Sequence, residues 1–198
     1  MMELLLVMTI IAVLSAISMP ALKGFTSTRR LKASAETVRA LLVFARDMAI
    51  TERTAHLVVL ELDREQCWLA SSETFNPQEP LASVLTEGTA RRQNITAAET
   101  AQQGLTRTGG LLGVPQTLEQ QVTLAAVTTN HNGQTAHVVS GIEYVYFSPT
   151  ASSEDTHIYL RNSQNRVMSV TVEAASGRVH VRQLTDEEIA NLGLTEDE

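Results

Sequence analysis

The chain opens with an apolar segment unlike the rest of the sequence. Residues 4–22 carry no charged side chain, and as a helix they would be about 28 Å long at 1.5 Å per residue. Because the hydrocarbon core of a bilayer is roughly 30 Å thick, we predict that residues 1–22 are the membrane half of an N-terminal helix. A cleaved signal peptide is the alternative, since Ser15, Ala16 and Ser18 are small. Such a peptide, however, starts with basic residues, and this segment does not.

The apolar pattern after residue 22 keeps a helical period but becomes one-sided. Apolar residues recur at spacings of three and four, and charged residues fill the other side. We therefore predict that residues 23–54 are the amphipathic half of the same helix, which ends near residue 52. Pro20 lacks a backbone donor and is expected to kink the helix. The apolar stripe consists of Leu31, Ala35, Val38, Leu41, Leu42, Ala45, Met48 and Ala49.

Short strands follow the helix. Residues 55–62 and 66–70 are rich in apolar and β-branched residues and flank a polar turn, which predicts a β-hairpin. Further turns are marked by Asn132-Gly133 and Ser176-Gly177. One long helix followed by consecutive strands predicts an α+β fold in which the helix packs on an antiparallel β-sheet. The later predicted strands are residues 122–128, 142–147, 157–160, 167–173 and 178–184.

The predicted β-rich domain spans residues 55–184 and contains a polar insertion. From about residue 71 to about residue 120 the sequence is rich in Gly, Pro, Gln and Ala, without a sustained strand or helix period. A helical turn is predicted near residues 97–103. An insertion of this length inside a compact domain is unusual unless it serves binding.

The acidic C-terminal tail, residues 185–198, accounts for most of the net charge of -7. The last 13 residues hold 6 acids and no Lys or Arg, which leaves 16 acids against 15 bases, or -1, for the rest. Without its tail the chain is nearly neutral, so it provides no general electrostatic field that would attract nucleic acid. Thr185 and Glu188 have the spacing of a capping box, which predicts a short helix over residues 186–192.

The sequence contains no motif that calls for catalysis. It has no phosphate-binding glycine loop, no HExxH zinc motif and no GxSxG nucleophile elbow. Cys67, beside Trp68, is interpreted as a small buried hydrophobe, and His131 and His137 as surface imidazoles on either side of a turn. We therefore predict a protein that is not an enzyme, with no catalytic residue, cofactor, metal or small-molecule substrate.

A row of basic residues gives an alternative function. Arg178, His180 and Arg182 alternate along one predicted strand and therefore share one face. Such a row is a candidate for DNA contact, although the neutral body and the acidic tail oppose it. A solvated strand face explains the same pattern, and nucleic acid is not a partner in the interpretation that we favour.

Glu3 does not fit a passive membrane anchor. A carboxylate costs roughly 2.5–3.5 kcal/mol at mid-bilayer on insertion scales, so an acid in an apolar helix indicates a cationic partner. No Lys or Arg lies near it in this chain. The alternative is that Glu3 sits in the headgroup region of the membrane.

Glu3, the uncharged run behind it, Pro20 and the amphipathic continuation together resemble the N-terminal helix of type IV pilins and pseudopilins. The resemblance implies a pilin-like fold and a filament core built from packed apolar helices. It also implies that Glu3 pairs within the membrane with the N-terminal amine of a neighbouring subunit. That pairing would supply the missing cation and fix the axial register of assembly.

Three further segments are similar to the pseudopilin H family, also called the GspH/FimT type. They are residues 44–49, residues 142–149, which end in Phe147-Ser148-Pro149, and residues 176–181. The similarity implies a minor pseudopilin of a type II secretion system or type IV pilus, held in the bacterial inner membrane by a single span with its domain in the periplasm. Its expected partners are the major and minor pseudopilins. The alternatives are a DNA-binding minor pilin and an anchored periplasmic enzyme or sensor.

One feature of the pilin pattern is missing. The family carries a basic leader ending in glycine, which prepilin peptidase removes before methylating the new N-terminus, whereas Met1 and Met2 directly precede Glu3 here. Either the chain was trimmed or its start was assigned too late, at an internal methionine, and prepilin peptidase is an expected partner if the leader exists upstream. A basic leader would also counter the positive-inside bias of the cations after the span, which are Lys23, Arg29, Arg30 and Lys32.

Overall fold

The computed structural model describes residues 2–72, 106–107, 114–131 and 133–194, without the side chains of residues 5, 14–25, 71–72 and 106–107. Most of the predicted insertion, including the helical turn expected near residues 97–103, lies outside the described residues. Two helices and ten strands are described. In chain order they are α1 (Met2–Glu52), β1 (Ala55–Glu61), β2 (Gln66–Ser72), β3 (Thr106–Arg107), β4 (Gln116–Thr117), β5 (Val122–His131), β6 (Gln134–Val138), β7 (Ile142–Phe147), β8 (Thr156–Asn162), β9 (Val167–Val172), β10 (Val179–Gln183) and α2 (Asp186–Asn191).

Helix α1 packs on the strands through the stripe expected from its sequence. Val38, Leu42, Ala45 and Ala49 are fully buried and belong to one core cluster with residues of the strands. The helix ends where Arg53 adopts a left-handed backbone conformation with φ 54°, a common way to terminate a helix.

The membrane half of α1 stays a prediction. Among the described residues, no helix has the combined length and hydropathy that a bilayer span needs. The segment 14–25 contains Pro20, whose side chain is outside the described set, so the kink at this residue also stays a prediction.

The strands form two antiparallel sheets. Sheet A has the order β3-β2-β1-β7, with β4 also paired to β2, and sheet B has the order β10-β9-β8-β5-β6. The predicted hairpin is β1 and β2, in which Leu60 lies opposite Cys67. Between them a 3-10 turn, Leu62–Arg64, ends at Glu65 in the left-handed region. The α+β class and the antiparallel pairing are therefore confirmed.

The structure has two sheets, whereas the sequence predicted one. The chain passes from sheet B to sheet A in the link between β6 and β7. Gly141 has φ 90°, and its N–H donates to Asp63 Oδ1 at 3.0 Å. Its carbonyl accepts from the N–H of Leu62 at 2.9 Å. These bonds hold the chain beside sheet A as it leaves sheet B. Helix α1 contacts strands of both sheets.

The C-terminal tail forms the predicted helix and packs on sheet B. Thr185 Oγ1 accepts from the N–H of Glu188, and the Glu188 carboxylate accepts from the N–H of Thr185, which completes the capping box. Ile189 and Leu194 are buried in a second apolar cluster with Tyr159. The described part of the tail is thus a folded element.

Candidate functional site: the exposed start of helix α1

The first part of α1 presents a continuous apolar surface. From residue 2 to residue 13, eight large apolar side chains are between 48% and 88% exposed. An exposed apolar patch of this kind marks a surface that contacts protein or lipid. The eight residues are Met2, Leu4, Leu6, Val7, Met8, Ile10, Ile11 and Val13.

Glu3 is the one acid of this surface. It is exposed and lies in the first turn of α1, where the partial positive charge of the helix N-terminus favours a carboxylate. The arrangement places a single anion at the end of an apolar rod. The Glu3 carboxylate can form an ion pair with a cationic group of another molecule that packs along the helix.

The other end of α1 is fixed to the turn between β9 and β10. Arg46 Nε donates to the carbonyl of Ser176 at 3.0 Å, and a Cβ atom at Gly177 would come within 2.7 Å of the Ala151 carbonyl oxygen. The Ser176-Gly177 turn expected from the sequence is thus confirmed, and it also serves as a docking point for the helix.

The predicted row of basic residues lies at the edge of sheet B. His180 Nε2 lies 3.1 Å from Glu173 Oε1, and Arg182 Nη1 lies 2.7 Å from Glu188 Oε1. The pKa of the Glu188 carboxyl is lowered by the Thr185 N–H and then by Arg182. The strand thus brings two of the predicted cations onto nearby carboxylates, and contact of Arg178, His180 and Arg182 with DNA stays a prediction.

Cys67 is buried, as the sequence predicted. Its side chain is fully inaccessible, and burial raises the pKa of its thiol to about 11. Since the thiolate is the reactive form, a neutral buried thiol has the properties of a core residue.

A cluster of charged residues that the sequence did not indicate links the two sheets. His131, at the end of β5 in sheet B, places Nε2 at 3.0 Å from Glu143 Oε1 on β7 of sheet A. Its Nδ1 lies 2.6 Å from Glu154 Oε2. The ring of Tyr144 stacks on the imidazole with 4.5 Å between ring centroids. The interpretation of His131 as a surface imidazole is therefore wrong, because only 19% of its side chain is exposed.

The sequence carries one weak signal for this cluster. Glu143 is a carboxylate within the strand Ile142–Phe147, whose other residues are apolar, aromatic or both, and it is buried there. A buried carboxylate needs a partner, but the partners lie 12 and 11 residues away along the chain, counted as 143 minus 131 and 154 minus 143. No local motif connects them.

The charges of this cluster hold the imidazole in its protonated form. Burial lowers the pKa of His131, but hydrogen bonds to Glu143 and Glu154 and the charges of both carboxylates outweigh it and raise the pKa to about 9. Both ring nitrogens then donate protons, so neither has a lone pair for a metal. Among the described residues, no group of three or more His, Cys, Asp or Glu side chains is arranged to hold a metal ion.

Stability is expected to fall as the pH rises from about 6.5 to about 9. His131 has a pKa of 6.5 when unperturbed and about 9 in the folded protein. Its stabilisation is therefore complete below pH 6.5 and is lost as the pH rises through about 9. Urea unfolding across this range measures the effect. The fall should be smaller in His131→Gln than in the wild type. An unchanged pH dependence in His131→Gln would contradict this account.

Comparison with known proteins finds a similarity of fold but no match of sequence. No family model matches the sequence, and no curated protein matches it. The fold is similar to that of the minor pseudopilin EpsH from the type 2 secretion system of Vibrio cholerae, with a TM-score of 0.47 and 12% sequence identity. The alignment covers 79% of this chain and 97% of that chain. A TM-score and an identity this low define neither the family nor the function of this chain.

Proposed function

We propose that this chain is a minor pseudopilin of the H type. It is a structural subunit that joins the pseudopilus of a type II secretion system, or a related type IV pilus machine, through helix α1. Residues 1–22 lie in the bacterial inner membrane as a single span, and the β-rich domain lies in the periplasm. The partners are the major and minor pseudopilins and, during maturation, prepilin peptidase.

The observation that carries the proposal is that α1 has two unlike environments. From Leu31 to Ala49 its apolar stripe is covered by strands, whereas the apolar residues between Met2 and Val13 stay exposed among the described residues. Leaving this apolar surface in water is costly, at about 25 cal/mol per Å². A bilayer followed by a bundle of like helices would cover it at both stages of assembly.

Glu3 is the residue that selects a helical neighbour in this proposal. In a water-free bundle the attraction between a carboxylate and an amine is strong, but both groups lose their hydration. The pair is therefore favourable only when the two ends meet closely. That requirement sets the axial position of each subunit, which lipid packing alone cannot do.

Replacing Glu3 with alanine is expected to prevent assembly without unfolding the domain. An unpaired amine would remain buried in the neighbouring subunit, and we expect co-purification with the major pseudopilin to fall by about tenfold or more. The measurement is affinity co-purification of the full-length chain from membranes of cells that produce both subunits.

Glu36→Ala is the matched control for this experiment. Glu36 is an exposed acid on the same helix, paired with Arg39 at 3.3 Å, and removal of an exposed pair of this kind costs little. Co-purification of Glu36→Ala should equal that of the wild type. Wild-type co-purification of Glu3→Ala would overturn the proposal, provided that circular dichroism shows all three proteins equally folded.

A further inference from the structure

A polar cavity of about 350 Å³ lies where α1 meets the loop between β8 and β9. The described residues that line it all carry side chains that can donate hydrogen bonds. Such a set of donors suits a small polar ligand with hydrogen-bond acceptors. The lining residues are Thr26, Ser27, Arg30, Gln121, Ser163 and Gln164.

Two buried polar atoms, one in the cavity lining and one on the residue before Ser163, have no hydrogen-bond partner among the described residues. They are Ser27 Oγ and Asn162 Nδ2, respectively. The Asn162 amide is oriented by its oxygen, which accepts from the N–H of Gln164 at 3.1 Å and of Arg166 at 3.0 Å. Its NH₂ group therefore remains as a donor. Buried polar atoms without a partner are rare and each needs an explanation, and at Ser27 Oγ a polar group held in the cavity would supply one.

The charge around the cavity is positive. Arg30 is half-buried. Its Nη1 donates to Gln121 Oε1 in a long hydrogen bond of 3.3 Å. Arg166 Nη1 reaches Thr28 Oγ1 at 3.3 Å, on the turn of α1 that forms the cavity wall. The guanidinium group offers several N–H donors in one plane, which fits the oxygens of a phosphate. Along the chain, the acid nearest to a lining residue is Glu119, which precedes Gln121 by two residues.

We propose that this cavity binds a phosphate group, and that the phosphate belongs to the headgroup of an anionic phospholipid. The choice of a lipid rests on the proposed function. Ser27 follows the end of the apolar segment at Leu22 by five residues, or about 7.5 Å along a helix. The polar region on each side of a bilayer is about 5–7.5 Å thick. The cavity then lies at the depth of the lipid phosphates and holds the domain at a fixed height above the membrane.

The test measures the binding of two probes to the full-length chain in a nonionic detergent. The probes are inorganic phosphate and the short-chain lipid dihexanoyl phosphatidylglycerol, each followed by isothermal titration calorimetry. Arg30→Gln should weaken the binding of both probes by about tenfold, because a charge-assisted pair of hydrogen bonds to phosphate is lost. Arg39→Gln carries the same substitution on the same helix, away from the cavity, and should change either affinity by less than about twofold.

The outcomes separate the two sources of phosphate. Weaker lipid binding in Arg30→Gln supports the headgroup, whereas an effect on inorganic phosphate alone supports the cavity as a site for free phosphate. Equal weakening by Arg30→Gln and Arg39→Gln, or saturable binding of neither probe, overturns the proposal. If Arg30→Gln fails to fold, Gln164→Ala tests the same cavity. The phosphate titration requires no filament, so its result is independent of the Glu3→Ala experiment.

Discussion

Leu42→Ala is expected to lower the free energy of unfolding by about 2–5 kcal/mol. Leu42 is fully buried on α1, in the core cluster that joins the helix to strands of both sheets. Truncation removes contacts and leaves a cavity that the packed strands on either side cannot close. The loss is measured by urea unfolding of the domain, followed by circular dichroism at neutral pH.

Ile50→Ala on the same helix is the control for this substitution. The Ile50 side chain is 42% exposed, so its truncation removes less buried area, and we expect a loss below about 1 kcal/mol. Equal losses for Leu42→Ala and Ile50→Ala would show that the stripe of α1 is not the centre of the core.

Gly177→Ala is expected to destabilise the domain by about 2–4 kcal/mol. Two costs combine at this residue. Its φ of 59° disfavours any residue with a side chain, and a Cβ atom would lie 2.7 Å from the Ala151 carbonyl oxygen and 3.0 Å from Arg46 Cδ. The side chain of Arg46 can move, but only by giving up its bond to Ser176. The backbone carbonyl of Ala151 cannot move without shifting its loop.

Gly193→Ala separates the two costs. Gly193 has a φ of 65°, close to that of Gly177, but a Cβ atom there would meet nothing within 4 Å. This variant carries the conformational cost alone, about 1 kcal/mol. Thermal unfolding of both variants measures the difference. If they are equally stable, the close approach at Gly177 contributes nothing, and the docking of α1 on this turn does not depend on glycine.

The parts of the fold that the sequence predicted are those with a local physical cause. The stripe of α1 follows from helical periodicity, and the hairpin of β1 and β2 follows from two β-branched runs around a polar turn. The capping box at Thr185 follows from a hydrogen-bond pattern that needs only four consecutive residues. Each of these signals is contained in a short segment, so no knowledge of distant residues was needed.

The parts that the sequence missed depend on distant residues. Strand β6 is a mostly exposed edge strand with no buried face to give it an alternating pattern. The division into two sheets depends on the pairing of β1 with β7, which places His56 opposite Phe147, a residue far away in the sequence. The His131 cluster and the cavity beside Ser27 each combine side chains from separate elements, and polar residues carry no periodic signal of their partners.

The docking of α1 on both sheets has a mechanical consequence. One stripe of this helix lies against strands of sheet A and sheet B, and the Arg46 bond ties its far end to the β9–β10 turn. A pulling force applied at the N-terminal end of α1 therefore loads both sheets together. The packing of this stripe resists extraction of the helix, so the rate of forced unfolding should rise when the stripe is weakened.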